Sequence, residues 1–192
     1  ALEEGYDANS TLTEIDVKAA KKSTSEKISK MSGQKMSLRY AVEDSKNGCA
    51  YSLYNIITPK VGLSYIENMN FSKIVQQDYT LSSGLGGLHH GTNTVEMANA
   101  YSTLENHGEY RQADCISSIL DASGNEIYEE PESKTVYTRS ASDQMTDILE
   151  GVLNSSAGTA KGLKWSSASD VAAAAKTGTT NDNNVAWFCG YT

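Results

Sequence analysis

The sequence predicts an α+β domain from two observations. Residues 142–153 carry apolar side chains at i, i+3, i+4 and i+7, which is typical of an amphipathic helix. Residues 171–180 and 185–191 are strand-like runs joined by a short polar segment, so we expect them to pair as an antiparallel hairpin. A chain of 192 residues, 39% of them hydrophobic, can bury one sizeable core. A single globular domain is therefore expected.

Composition and periodicity divide this domain into three regions. Residues 1–35 are polar and rich in Ser, Lys and Thr, and we expect them to form mostly loop. Residues 36–110 show helical periodicity interrupted by turn-forming residues. Residues 111–192 are predicted to contain a hairpin around 115–129, the amphipathic helix and the final strand pair.

The helical region contains a sharp corner. One helix is predicted to begin near Met36, to break at residues 45–48, and to be followed by a second helix that ends before Pro59. Asn93, with Glu96 three residues later, resembles a capping box and predicts the start of a further helix. The triplet at 45–47 should therefore lie between two helices.

Charge and cysteine content exclude several functions. Sixteen basic and 24 acidic residues give a net charge of -8, which argues against a nucleic-acid partner because phosphates would be repelled. Cys49, Cys115 and Cys189 form no C-x-x-C pair, so we expect small buried side chains, with a single disulfide as the alternative. His89 and His90 have no further ligands at metal-site spacing and are expected on a surface loop.

The termini suggest that the chain is a piece of a longer protein. Its start at Ala1 has neither a methionine nor a signal peptide, and no stretch approaches the roughly 18 apolar residues of a membrane helix. Any membrane anchor is expected upstream of Ala1.

Two short motifs carry the chemistry. Lys176-Thr177-Gly178-Thr179 lies on the first strand of the final pair, where a glycine would let a ligand backbone approach the strand edge. Thr177 and Thr179 should project to one face because side chains alternate along a strand. Ser45-Lys46-Asn47 occupies the helix corner.

These motifs resemble those of a known family. Lys176-Thr177-Gly178 resembles the K-T-G motif of penicillin-binding proteins and serine β-lactamases, and Ser45-Lys46-Asn47 resembles their S-x-N motif. The resemblance to the bifunctional, glycosyltransferase-linked (class A) penicillin-binding proteins extends over other stretches: 1–6, 86–88, 96–101, 106–110, 146–152 and 186–192. It implies a mostly antiparallel sheet flanked by helices, incomplete at both ends, with the two motifs on opposite sides of one cleft.

The resemblance also implies a function. The expected activity is a peptidoglycan D,D-transpeptidase that crosslinks stem peptides through a serine acyl-enzyme and is acylated by β-lactams, without a metal or organic cofactor. Ser45 would relay a proton near the leaving nitrogen, Asn47 would bind the substrate amide, and Lys176 would hold positive charge beside Ser45 and the substrate carboxylate. Thr177 and Thr179 would bind that carboxylate. The main chain near Thr179 would donate to the oxyanion together with the backbone amide of the nucleophilic serine, and Gly178 would permit the close approach. The expected location is the bacterial cell envelope, at the outer face of the cytoplasmic membrane.

The nucleophile of this family, in an S-x-x-K motif, is expected upstream of Ala1, in the N-terminal part of the parent protein. Ser32-Gly33-Gln34-Lys35 fits the letters, but it lies in a polar stretch shortly before Ser45 and contains a helix-weakening glycine. We therefore expect the isolated chain to be inactive. The alternative is a non-catalytic module that binds stem peptides or β-lactams without turnover; a β-lactamase is disfavoured because the similarity is to the synthetic class.

Overall fold

The computed structural model describes residues 1–163, 171–180 and 182–192. Within these residues the chain forms helices around short antiparallel strand pairs. The helices are α1 (Val17–Ala20), α2 (Ser25–Ser29), α3 (Leu38–Glu43), α4 (Asn47–Ile57), α5 (Pro59–Asn68), α6 (Thr94–Glu105) and α7 (Arg139–Asn154). The strands are β1 (Thr11–Thr13), β2 (Lys35–Ser37), β3 (Glu109–Tyr110), β4 (Lys134–Thr135), β5 (Ala174–Thr179) and β6 (Ala186–Tyr191).

All strand pairing in the described residues is antiparallel. β1 pairs with β2, β3 with β4, and β5 with β6, so the strands form three separate two-stranded sheets. The predicted α+β class and the final hairpin are therefore confirmed. Asn181, in the segment predicted to join its strands, lies outside the described residues.

Helix α7 forms the centre of the fold. Its buried side chains Leu149, Val152 and Leu153 pack against Ala174 and Ala175 of β5. On its other side, the fully buried Ile148 packs with Leu12, Leu38, Ala41 and Cys49, from β1, α3 and α4. Helix α7 thus contacts α3 and α4, which flank the corner, and also β5, which carries the second motif. It therefore sets the distance between the corner and β5.

The N-terminal segment is less irregular than its composition predicts. Asp16 and Thr24 cap α1 and α2 by accepting hydrogen bonds from backbone amides of the first turn. Ala20 and Ile28 are buried against α4, next to Tyr51. Two polar helices with a single buried side chain each give almost no periodic signal, which is why composition alone favours loop here.

The cysteine prediction holds for one residue and fails for another. Cys49 is buried, but Cys115 is exposed, because it lies in the 111–133 segment, whose side chains are mostly exposed. All three thiols are free, so the disulfide alternative is wrong. Burial raises the pKa of Cys49 to about 11, which keeps the thiol protonated and unreactive at neutral pH.

Candidate active site

The S-x-N triplet is held by the end of helix α3. The amide of Ser45 donates to the carbonyl of Val42 (3.1 Å), and the amide of Lys46 donates to the carbonyl of Ala41 (2.8 Å). These two bonds form a Schellman motif, whose residue after the cap adopts the left-handed conformation. Ser45 occupies that place with a φ of 56°, where glycine is the usual residue. A serine in this position carries a conformational cost and projects its hydroxyl from a sharp corner.

The next helix starts directly after this corner. Asn47 is the exposed first residue of α4, and Gly48 packs so closely on the preceding chain that a β-carbon would meet the Ile15 carbonyl oxygen at 2.3 Å. Lys46, between the two motif residues, pairs with Asp44 at 3.0 Å rather than with the cleft. The hydrogen bond that Lys46 donates to the Asp44 carboxylate raises the pKa of Lys46, so this lysine remains charged.

The K-T-G motif lies on β5, which pairs only with β6 in the described residues. The amide of Thr180 donates to the carbonyl of Val185 at 3.0 Å, just beyond the register of the strand pair. Since inter-strand bonds alternate along an antiparallel pair, the backbone groups of Thr177 and Thr179 point away from β6. This edge of the motif strand therefore presents the backbone groups of Thr177 and Thr179, of which the Thr177 carbonyl accepts from Lys176 Nζ.

Lys176 joins the two motifs. Its Nζ donates to Ser45 Oγ at 2.8 Å and to the carbonyl oxygen of Thr177 at 2.9 Å. Burial lowers the pKa of Lys176, because the surrounding protein replaces the water that would stabilise the ammonium. The two motifs thus place an ammonium and a hydroxyl in direct contact.

The other predicted site residues extend from this contact. Thr177 is partly buried, and Gly178 and Thr179 form the exposed end of β5. Among the described residues, a β-carbon at Gly178 would have only Trp187 Cβ near it, at 3.8 Å, so these residues leave that side of the strand open. Within the part of the chain that the structure describes, no side-chain hydrogen bond joins Asn47 to the other site residues, but Asn47 lies two residues from Ser45 on the same corner.

One site residue has no counterpart in the sequence motifs. Thr159 follows α7 in a turn, and its Oγ1 lies 2.6 Å from Thr177 Oγ1. Its amide donates to the carbonyl of Glu43 at 3.2 Å. In the sequence, the small residues around Thr159 indicate a tight turn, but they do not indicate a functional site.

Two other sequence patterns, the S-x-x-K letters at 32–35 and the histidine pair at 89–90, do not form a site in the described residues. Ser32 lies in an exposed, non-helical segment and Lys35 begins β2, so the one-turn helical spacing of an S-x-x-K pair is absent there. His89 and His90 are exposed on a bend, as predicted. Within the ranges described above, no group of three or more His, Cys, Asp or Glu side chains could hold a metal ion.

Comparison with known proteins identifies the family. The family model "Penicillin binding protein transpeptidase domain" matches residues 1–192. The chain is 30% identical over 158 residues to penicillin-binding protein 4 of Bacillus subtilis and 33% identical over 159 residues to penicillin-binding protein 1A of Clostridium novyi. Each match covers 82% of this chain, but only 24% and 18% of those relatives.

The fold agrees with this match. The penicillin-binding protein PonA1 from Mycobacterium tuberculosis superposes with a TM-score of 0.73 at 19% identity, over 100% of this chain and 53% of that one. A transpeptidase domain from Eggerthella lenta superposes with a TM-score of 0.66 at 18% identity, over 99% of this chain and 53% of that one. The chain belongs to the penicillin-binding protein transpeptidase domain family.

Proposed function

We propose that this chain forms the S-x-N and K-T-G part of a D,D-transpeptidase active site that crosslinks peptidoglycan stem peptides through a serine acyl-enzyme. The observation that carries the proposal is the 2.8 Å hydrogen bond between Lys176 Nζ and Ser45 Oγ. It joins two motifs that are far apart in the sequence, in a chain whose family performs this chemistry. The end of helix α3 imposes the left-handed backbone of Ser45, which projects its hydroxyl from the corner where this bond forms.

The nucleophile in this proposal lies outside residues 1–192. Its serine oxygen attacks the carbonyl of the penultimate D-alanine, an ester forms, and the peptide bond to the terminal D-alanine breaks. The serine proton passes to the leaving nitrogen. An amine of a neighbouring stem peptide then attacks the ester, which releases the serine and completes the crosslink.

Ser45 and Lys176 relay the proton to the leaving nitrogen. A hydroxyl can accept one proton while it donates another, and Lys176 beside it supplies a positive charge at a fixed distance. Because burial already lowers the pKa of Lys176, the proton shared by the pair moves more readily than on an exposed lysine.

The open edge of β5 binds the substrate. The outward amide of Thr179 donates to the developing oxyanion, together with the backbone amide of the nucleophile itself. Thr177 and Thr179 hydroxyls bind the terminal carboxylate, and Asn47 binds the substrate amide. Gly178 has no side chain to obstruct the extended peptide.

β-Lactams are proposed to acylate the same serine. Structures of relatives with this fold include PonA1 in complex with penicillin V and penicillin-binding protein 3 of Mycobacterium tuberculosis complexed with aztreonam. The site of action is the bacterial cell envelope, at the outer face of the cytoplasmic membrane, where stem peptides are crosslinked. Among the described residues there is no helix long and apolar enough to cross a membrane.

The test is intact-protein mass spectrometry after incubation with a fluorescent penicillin, applied to this chain and to the full-length gene product that contains it. We expect a stoichiometric adduct on the full-length protein, mapped by peptide digestion to a serine outside residues 1–192, and none on the chain alone. Pre-incubation with unlabelled penicillin controls for non-specific labelling. An adduct on Ser32 would overturn the placement of the nucleophile, and no adduct on either protein would favour a non-catalytic binding module.

A further inference from the structure

The turn after α7 is held rigidly against the end of that helix. The amide of Ala160 donates to the carbonyl of Val152 at 3.1 Å, and Ala160 is buried in the same cluster as β5. Gly158 lies so close to the helix that a β-carbon would meet the Val152 carbonyl oxygen at 2.3 Å. Thr159, between these two anchored residues, therefore has little freedom to move.

Thr159 contacts both elements that carry the motifs. Its amide donates to the carbonyl of Glu43, the last residue of α3 and two residues before Ser45. Its hydroxyl lies 2.6 Å from the hydroxyl of Thr177 on β5. One residue thus links the S-x-N corner to the K-T-G strand, beside the direct bond from Lys176 to Ser45.

The hydroxyl pair has a directional consequence. Each hydroxyl has one hydrogen to donate, and a carboxylate only accepts. Thr177 can donate to a carboxylate only when its hydrogen is not directed at Thr159. When Thr159 donates to Thr177 instead, the Thr177 hydrogen is free to face the cleft, and the donated bond polarises it further.

We propose that Thr159 is a positioning residue that orients the hydroxyl of Thr177 toward the carboxylate of the substrate or of a β-lactam. This inference rests on the proposed function, because it assigns Thr177 to carboxylate binding. It adds a specificity determinant: Thr159 favours ligands with a carboxylate over the same ligands with that group esterified.

The test measures the second-order acylation rate constant of the full-length gene product with benzylpenicillin and with its methyl ester. Thr159→Val keeps the shape of the side chain and removes the hydroxyl, and Thr159→Ser keeps the hydroxyl. Thr146→Val is the matched control, because it removes a similar hydroxyl contact, between Thr146 Oγ1 of α7 and the Tyr191 hydroxyl of β6 at 2.8 Å, that involves neither motif. Melting temperatures are recorded for all variants, and Thr159→Ala replaces Thr159→Val if the latter does not fold.

We expect Thr159→Val to slow acylation by benzylpenicillin about tenfold, the loss typical of one hydrogen bond, and to change the methyl ester rate less than twofold. Thr159→Ser should restore the benzylpenicillin rate, and Thr146→Val should leave it unchanged. An unchanged benzylpenicillin rate in Thr159→Val, or an equal loss with both ligands, would overturn the role of Thr159 alone. Failure of the unmodified protein to be labelled would instead overturn the proposed function, and this role with it.

Discussion

Ser45 and Lys176, which are 131 residues apart in the sequence, are joined by a hydrogen bond of 2.8 Å between Oγ and Nζ. The bond links the corner after helix α3 to strand β5. Each residue carries a free-energy cost. Ser45 has a left-handed backbone, and the ammonium of Lys176 is partly buried. Both costs are concentrated at the candidate site, where the proposed chemistry needs them.

The backbone of Ser45 predicts opposite effects on stability and activity. Ser45→Gly removes the left-handed penalty and should stabilise the fold by about 1 kcal/mol, because glycine is the preferred residue at this place in a Schellman motif. The same change removes the hydroxyl and should lower penicillin acylation of the full-length gene product at least tenfold. Chemical denaturation and labelling rates measure the two effects. Ser45→Ala is the control: it loses the hydroxyl without gaining stability, and full activity in either variant would exclude a proton relay through Ser45.

The lowered pKa of Lys176 predicts an early alkaline loss of activity. Since the charged form is proposed to act, acylation should fall as pH rises through a pKa below that of an ordinary lysine. Lys176→Arg should lower the maximal acylation rate, because a guanidinium differs in shape from an ammonium. It should also shift the alkaline fall in rate to higher pH, because a guanidinium stays charged. Lys46→Arg, at the neighbouring ion pair with Asp44, should not change the pH at which the acylation rate falls. Identical pH–rate profiles for the unmodified protein and Lys176→Arg would contradict a role for the Lys176 charge.

Two glycines near the site should respond differently to alanine. Gly178→Ala meets no described residue closer than 3.8 Å, so thermal stability should be unchanged, while the added methyl group should obstruct the approaching ligand and slow acylation. Gly48→Ala places a β-carbon 2.3 Å from a backbone oxygen of Ile15 and should destabilise the chain by about 2 kcal/mol. Melting curves and labelling rates of both variants test the contrast. Equal acylation in Gly178→Ala and the unmodified protein would place the ligand elsewhere.

The contacts of Glu96, which join helix α6 to Ser72 and Thr92 of the preceding loop, should weaken at low pH. Burial opposes its ionisation, but hydrogen bonds from the amide and hydroxyl of Ser72 and from the hydroxyl of Thr92 lower its pKa from 4.5 to about 2. A carboxyl group with a lowered pKa in the folded state stabilises fully above its unfolded pKa and loses this contribution as pH falls toward 2. Glu96→Gln should therefore cost about 1–2 kcal/mol at pH 7 and flatten the loss of stability between pH 4.5 and 2.

The control for this prediction is Glu105→Gln, on the exposed face of the same helix α6. Urea unfolding of both variants at several pH values measures the effect. A Glu96→Gln variant with the same pH dependence as the unmodified chain would show that the three bonds do not hold the carboxylate in solution.

Local sequence signals predicted the elements that carry the site. The break at residues 45–48 predicted the corner between α3 and α4, and Asn93 caps α6 as its spacing to Glu96 indicates, by accepting a bond from the Glu96 amide at 2.9 Å. The Glu96 side chain, however, contacts Ser72 and Thr92 instead of closing a capping box, because the loop before the helix brings those donors closer.

The motif letters, the strand alternation and the helix corner are local properties, and the amino-acid sequence alone specified them through turn chemistry and periodicity. The contact between Lys176 and Ser45, the burial that lowers the lysine pKa, and the link from Thr159 to Thr177 and Glu43 required the tertiary structure. The physical reason is that each depends on how α7 packs between the corner and β5. Packing distance joins residues that are far apart along the chain, so it leaves no periodic signal in the sequence.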